Sequence, residues 1–320
     1  MKRRIVLVAV TAVLLLLSGC ANPTGSNGGG DDDSGSISNY TSPNIGTLVY
    51  VPAGRFQRDA TETNISIISK PFRMSEHEVT QSQFENVMGV NPSESDTGGD
   101  TPNRPVRRIR WYDAIAFANK LSIEEGLTPV YSVTVGSTPI DWAALEYDDI
   151  PDGSDADWNA ATADWGADGY RLPTEMEWMW AAMGGDQDAE PGAMQGGVNV
   201  SGYAKDFAGD DGSNSIDDYA WYDGNSDTGE GEITHPVGTK NANELGLYDM
   251  SGNVLEWTWD WNGTYPSGEV TDYLGPASSS NRVLRGGSYG VVASRCTVAN
   301  RENFGPDGQG LGIGFRLVRP

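Results

Sequence analysis

The chain has 320 residues, a formal net charge of -24, 2 histidines and 2 cysteines. Such a negative balance excludes nucleic acid as a partner and electrostatic adhesion to anionic lipid. With 41 glycines and 10 tryptophans, the composition describes many turns with aromatic packing between them, not a helical bundle.

Residues 1–19 read as an export signal. Lys2, Arg3 and Arg4 open it, residues 5–17 form an apolar run too short to span a bilayer comfortably, and Ser18 and Gly19 supply small residues before a cleavage point. Leu17-Ser18-Gly19-Cys20 resembles a bacterial lipobox. That resemblance implies cleavage before Cys20 and lipidation of its sulfur, and several acyl chains anchor firmly where one alone binds marginally. Residues 20–44, rich in Gly, Ser, Asn and Asp, cannot bury enough apolar surface to order themselves and read as a flexible tether. Ala21 after the cysteine points to the outer membrane, with surface display and the lipid as the only membrane contact.

Residues 45–320 read as one folded domain, since no repeat and no second break in composition divides them. Residues 48–56 predict two short strands around a turn at Pro52 and Gly54. Thr80 and Gln83 form a capping box for a short helix running to about Gly89. A second helix spans residues 111–125, with Ala114, Ile115, Ala118 and Leu121 as its apolar stripe and Gly126 to end it. Residues 141–169 carry nine acidic groups and no Lys or Arg. Asp155, Asp157 and Asn159 have the spacing that starts an EF-hand loop, but Ala160 and Gly166 stand where its glycine and glutamate belong. The motif fails, and the stretch reads as a solvated acidic insertion. Thr174 and Glu177 box the start of a third helix, with Trp178, Ala181 and Ala182 inward and Gly184 and Gly185 as its stop.

Residues 285–319 close the chain. Strand-like runs at 282–289 and 313–318 frame about two dozen residues with no period of 2 or 3.6 and one cysteine, Cys296. A rigid frame around an unpatterned middle is how a scaffold presents a binding or catalytic loop, and loops this long are uncommon without a function.

Several segments, in order, carry a family resemblance. They are Val51-Pro52-Ala53-Gly54-Arg55-Phe56, Glu78-Val79-Thr80-Gln81-Ser82-Gln83-Phe84, and Pro105-Val106 leading to Trp111. Gly169-Tyr170-Arg171-Leu172-Pro173-Thr174-Glu175-Met176-Glu177-Trp178 and the run from Leu245 to Trp257 follow, and Arg285-Gly286-Gly287-Ser288 and Gly314-Phe315-Arg316 close the series. They resemble the formylglycine-generating-enzyme (sulfatase-modifying factor) family over essentially all of the chain after residue 45. The resemblance implies an α+β fold, the C-type-lectin-like fold of that subtype, with short twisted sheets, two or three helices and much irregular loop.

The family's oxidase chemistry uses two nearby cysteines that hold copper. Here Cys296 stands alone, with Gly290, Val291 and Val292 where the first thiol belongs, and one thiolate cannot make a Cu(I) pair. Relatives that use non-haem iron need a histidine-rich region, whereas His77 and His235 lack ligand spacing. Neither copper nor iron is expected. The chain reads as a non-enzyme with Cys296 a buried small hydrophobe; the alternative is an oxidase acting through Cys296 and a metal. A structural Ca²⁺ is also implied, held by the Asp249 and Glu256 carboxylates and the Gly252 and Val254 carbonyls. Against it stands a reading in which Asp249 caps a turn and Glu256 pairs with an arginine such as Arg285.

Residues 285–319 also resemble the variable region of retroelement-diversified proteins, and the lipidated amino terminus that of treponemal variable lipoproteins. Rewriting of Asn codons in such systems gives residues of the kinds found at Gly290, Val291, Val292, Ser294, Arg295, Phe304, Gly305, Asp307, Gly308, Gly310 and Leu311. Glu302 and Gln309 fall outside that repertoire; the alternative is drift in a tolerant loop. The implied function is non-covalent binding of an unidentified protein or other surface ligand. Tyr289 and Phe304 would supply apolar area, and Arg295, Asn303 and Asp307 polar contacts.

Overall fold

Turn residues punctuate the chain so closely that the longest strand among the described residues has 7 residues. The computed structural model describes residues 38–93, 102–227, 229, 231 and 233–320. The expected signal peptide, the lipidation site Cys20 and most of the tether lie outside them.

The chain begins with β1 (Tyr40–Ser42), β2 (Gly46–Val51), β3 (Gly54–Gln57), β4 (Ile65–Ile68) and β5 (Phe72–Ser75), followed by helices α1 (Gln81–Met88) and α2 (Trp111–Glu124). Next come β6 (Tyr131–Ser132), β7 (Thr134–Val135), β8 (Thr138–Pro139), the single turn α3 (Ala156–Asn159) and β9 (Thr162–Ala163). After α4 (Glu175–Ala182) lie β10 (Met194–Gln195), β11 (Val198–Asn199), β12 (Leu255–Trp261) and β13 (Val270–Thr271). The chain ends with β14 (Arg282–Arg285), β15 (Arg301–Phe304), β16 (Ile313–Gly314) and β17 (Val318–Arg319).

Three curled sheets result, in strand orders β1-β2-β5-β17, β10-β11-β3-β4-β13 and β15-β14-β12-β16. β6 pairs with β9 and β7 with β8. The last strand thus closes on β5, with Val318 opposite Met74, so both ends of the domain share one sheet. The two strands around Pro52 and Gly54 form as expected, but β2 and β3 enter different sheets. β1 also lies upstream of the expected boundary at residue 45. Its sequence shows no apolar alternation because polar bonds hold it there: Ser42 Oγ donates to Glu125 at 2.5 Å and Tyr170 OH to the same carboxylate at 2.6 Å.

The helices form where their caps stand. Thr80 and Thr174 each accept from the amide three residues on, and Gln83 and Glu177 return the bond. Such a cap contributes about 1 kcal/mol. α2 packs Phe117 against Phe84, ring centroids 5.4 Å apart, with Phe315 edge-on to both. α4 is buried along its whole length, including Glu175 and Glu177, so it has no solvent face of the kind its sequence stripe implied. The acidic insertion is likewise only half as expected. Trp142 and Trp158 are buried and meet edge to face, while Asp155 accepts from the amides of Asp157 and Trp158 and caps α3. Its EF-hand-like spacing is the spacing of a helix cap. Among the described residues no helix is long and apolar enough to cross a membrane.

Candidate functional site

β14 is buried at all four positions because β12 and β15 flank it in the sheet, with Leu284 opposite Trp257 on one side and Glu302 on the other. From this fixed strand the chain leaves through Gly286 and Gly287, at φ 96° and 78°, a left-handed geometry that favours glycine. A Cβ on Gly287 would lie 2.7 Å from both the Arg295 carbonyl and Cys296 Sγ, so the start of the loop and its cysteine are pressed together.

Residues 290–311 then fold back on β14 and are not structureless. They contain one 3-10 turn, Ala293–Arg295, and the strand β15. β15 was invisible in the sequence because Arg301-Glu302-Asn303-Phe304 shows no alternation; its register comes wholly from β14, with Arg285 opposite Arg301 and Arg282 opposite Phe304. Arg285 is fully buried and holds the return segment: Nη2 donates to the Val298 carbonyl at 2.9 Å, and Nη1 to those of Ala299, at 3.1 Å, and Asn300. Beyond β15 the chain is tied to the residues before α2, the Trp111 amide donating to the Pro306 carbonyl at 3.0 Å and the Arg108 amide to Gly310 at 3.1 Å.

The expected contact residues separate cleanly by exposure. Gly290, Val292, Ser294, Arg295, Asn303, Phe304 and Leu311 are exposed, and Val291, Gly305, Asp307, Gly308 and Gly310 are half-buried. Tyr289 is the correction. It is buried, its amide donating to the Asn253 carbonyl at 2.9 Å and its carbonyl accepting from Ser226 Oγ at 2.8 Å, so it anchors the loop and offers no contact area. Among the described residues six large hydrophobic side chains are exposed, and three of them are Val292 at 50 %, Phe304 at 44 % and Leu311 at 48 %. Arg295 pairs with Glu302, so a residue read as variable is partnered by one read as fixed. Ser226 and Asp223, whose amide donates to the Val291 carbonyl at 3.1 Å, back the loop from a distant segment that carried no sequence signal.

Cys296 is fully buried, and burial pushes its thiol up to about 12. The thiolate is the nucleophile and the metal ligand, and at neutral pH this group is a thiol. With Cys20 replaced by Ser, native protein at pH 8 is expected to react with a thiol reagent only as fast as it unfolds, whereas urea-unfolded protein reacts at once. Rapid stoichiometric labelling of the native state would contradict this picture. His77 is half-buried with Nδ1 against the Glu78 carbonyl, and His235 stacks on Trp221 at 3.6 Å. Among the described residues no cluster of three His, Cys, Asp or Glu side chains could hold a metal.

The residues implied for calcium meet on one turn but serve an ion pair. Arg316 donates from Nε and Nη2 to the two oxygens of Glu256, each at 2.7 Å, and Trp178 Nε1 adds a third bond at 2.7 Å. The partner of Glu256 is therefore Arg316; Arg285 instead lies 3.6 Å from Glu175. Asp249 accepts from the Gly238 amide at 2.7 Å through Oδ2 and lies against the fully buried Glu78 carboxylate, which burial and this neighbour push well up. The four implied residues alone fall short of the six to eight oxygens that calcium takes, because a guanidinium already occupies the Glu256 side. The four-residue set does not fit the ion in this arrangement.

Residues 34–320 match the model of the sulfatase-modifying factor enzyme 1-like domain. The chain is similar to the solved structure of Treponema denticola variable protein 1, at 40% identity and a TM-score of 0.74, over 88% of this chain and 98% of that one. It is 33% identical over 288 residues to the chaperone protein LppX of Paenibacillus barcinonensis, covering 85% of this chain and 89% of the relative. It is also 28% identical over 300 residues to the formylglycine-generating enzyme of Mus musculus, covering 85% and 74%.

Proposed function

Because this chain belongs to the sulfatase-modifying factor enzyme 1-like family and has its α+β, C-type-lectin-like fold, we propose that it is a surface-displayed lipoprotein that binds a ligand through residues 290–311. The observation that carries this reading is that three of the six exposed large hydrophobic side chains among the described residues, Val292, Phe304 and Leu311, fall within this one segment. Exposed apolar side chains gathered on one segment mark an interaction site, whereas single ones scattered over a surface need no explanation. The frame supports it too, since Gly286 and Gly287 set the turn into the segment and Arg285 holds it by the carbonyls at 298–300. Variation of residues 290–311 would then change the contact surface and spare the fold, and the likeness to a protein described as variable is in keeping with that.

The reading assigns no catalysis. Cys296, the residue that an oxidase reading would need, is fully buried and packed under Gly287. The reading needs no calcium either, because Arg316 neutralises Glu256 where a cation would sit.

The test combines sequence and binding. Loci from several isolates are expected to differ at codons 290–311 and agree at Arg285 and Phe315, with a near-copy of the codons beside a reverse transcriptase gene. Replacing Val292, Phe304 and Leu311 together by Ser is expected to change stability by no more than about 1 kcal/mol, as surface substitutions do. Binding to a panel of purified surface proteins and glycans is expected to fall about a hundredfold, the loss typical of hot-spot residues. Unchanged binding by the triple variant would remove the proposal.

A further inference from the structure

Arg282 differs from the other arginines buried around β14. Arg171, Arg285 and Arg316 each have a carboxylate within 3.6 Å; Arg282, at 1 % exposure, forms no ion pair among the described residues. Its guanidinium lies between two indoles, 3.8 Å from the ring centre of Trp111 and 3.5 Å from that of Trp261. Nη1 donates to the Trp259 carbonyl at 2.6 Å, while the buried Nε has no partner. The ring faces offset part of the cost of burying this charge, but an unpaired buried cation with an open donor is unfavourable. Burial pushes the guanidinium down to about 9, which leaves it charged at neutral pH.

The same side chain lines a cavity of about 330 Å³ whose walls include Trp259, Trp261, Leu274 and Pro276. That volume falls in the range of small-molecule sites, and its mixed lining sets the two indoles, Leu274 and Pro276 beside Asn159, Thr162 and the one cation. The cavity supplies a single positive charge, and the nearby Asp260 partly offsets it. With a net charge of -24 on the chain, a dianion is disfavoured and a monoanion suffices. A carboxylate also matches the planar fork of a guanidinium.

We propose that this cavity is a binding site for a small organic monocarboxylate, its carboxylate against Arg282 and its apolar body against the indoles of Trp259 and Trp261. None of its lining residues falls within 290–311. Arg282 nevertheless stands opposite Phe304 in the β14–β15 register, so the site is a constant pocket beside the candidate contact loop and does not depend on that loop's role.

Titration of the full chain with phenylacetate, followed by tryptophan fluorescence and calorimetry, tests it. One equivalent is expected to bind, with the neutral isostere phenylacetamide at least about tenfold weaker, the loss of one charged hydrogen-bonded contact. Ala277→Trp narrows the exposed side of the cavity without touching the guanidinium and is expected to abolish binding in a protein of unchanged melting temperature. Arg282→Lys is expected to weaken it at least about tenfold; should that variant fail to fold, the amide comparison and Ala277→Trp still decide. Equal affinity for acid and amide, indifference to Ala277→Trp, or no saturation by about 10 mM overturns the proposal. Tighter binding of benzylphosphonate than of phenylacetate overturns the assignment of a monoanion.

Discussion

Arg316→Met is expected to destabilise the domain by about 3–5 kcal/mol, the usual result of breaking a buried ion pair from one side. Both Arg316 and Glu256 are fully buried, two bonds of 2.7 Å join them, and Arg316 Nη2 also donates to the Tyr248 carbonyl at 2.9 Å. Methionine fills much of the volume but leaves the Glu256 carboxylate with Trp178 as its remaining side-chain donor. Since whole domains hold only about 5–15 kcal/mol, the melting temperature should fall by roughly 10 °C or more. Adding Glu256→Gln removes the stranded charge, and the double variant is expected to regain at least about 1 kcal/mol over Arg316→Met. Urea unfolding of the two single variants and the double one measures this; a double variant as weak as the sum of the singles would mean that the pair does not act as a unit.

Arg285→Met is expected to cost about 3 kcal/mol and to loosen the loop in particular. The guanidinium serves three successive carbonyls, at 298, 299 and 300, of which Val298 alone is buried, and losing a charged hydrogen bond to one buried partner costs about 1.5–3 kcal/mol. Glu175 keeps Arg301, at 2.6 and 2.8 Å, as its cation, so the damage should stay near the return segment. Amide exchange of residues 290–300 should speed up more than that of α2, whose packing is untouched. Arg285→Lys should recover less than half of the loss, because an ammonium cannot spread three donors as a planar fork does. Loss below about 1 kcal/mol with residues 290–300 still protected would show that β15 pairing alone holds the loop.

Local chemistry is legible in residue order alone. Thr80 with Gln83 and Thr174 with Glu177 announce helix starts because a capping box is completed within four residues. The stripe of α2, the turn at Gly286 and Gly287 and the single cysteine can be read in the same way. β15 cannot, since four residues without alternation become a strand only when β14 lies beside them. Phe304 is exposed at the end of β15, yet Tyr289 goes the other way: its backbone after the tight turn is fixed by Asn253 and Ser226, which arrive from elsewhere in the chain.

The charges divide along the same line. That Glu256 would meet an arginine was readable; that it meets Arg316, 60 positions away, was not, because Arg285, though opposite Glu256 in the β12–β14 register, turns its guanidinium to the carbonyls of the return segment. The unpaired state of Arg282 is likewise a tertiary fact, created where Trp111, Trp259 and Trp261 converge. By itself the sequence determined the caps, turns, family order and missing second thiol, all properties of residues close together or of residue type. Only the tertiary structure decided which side chains face water and which buried charges find partners, because those depend on contacts that chain proximity does not encode.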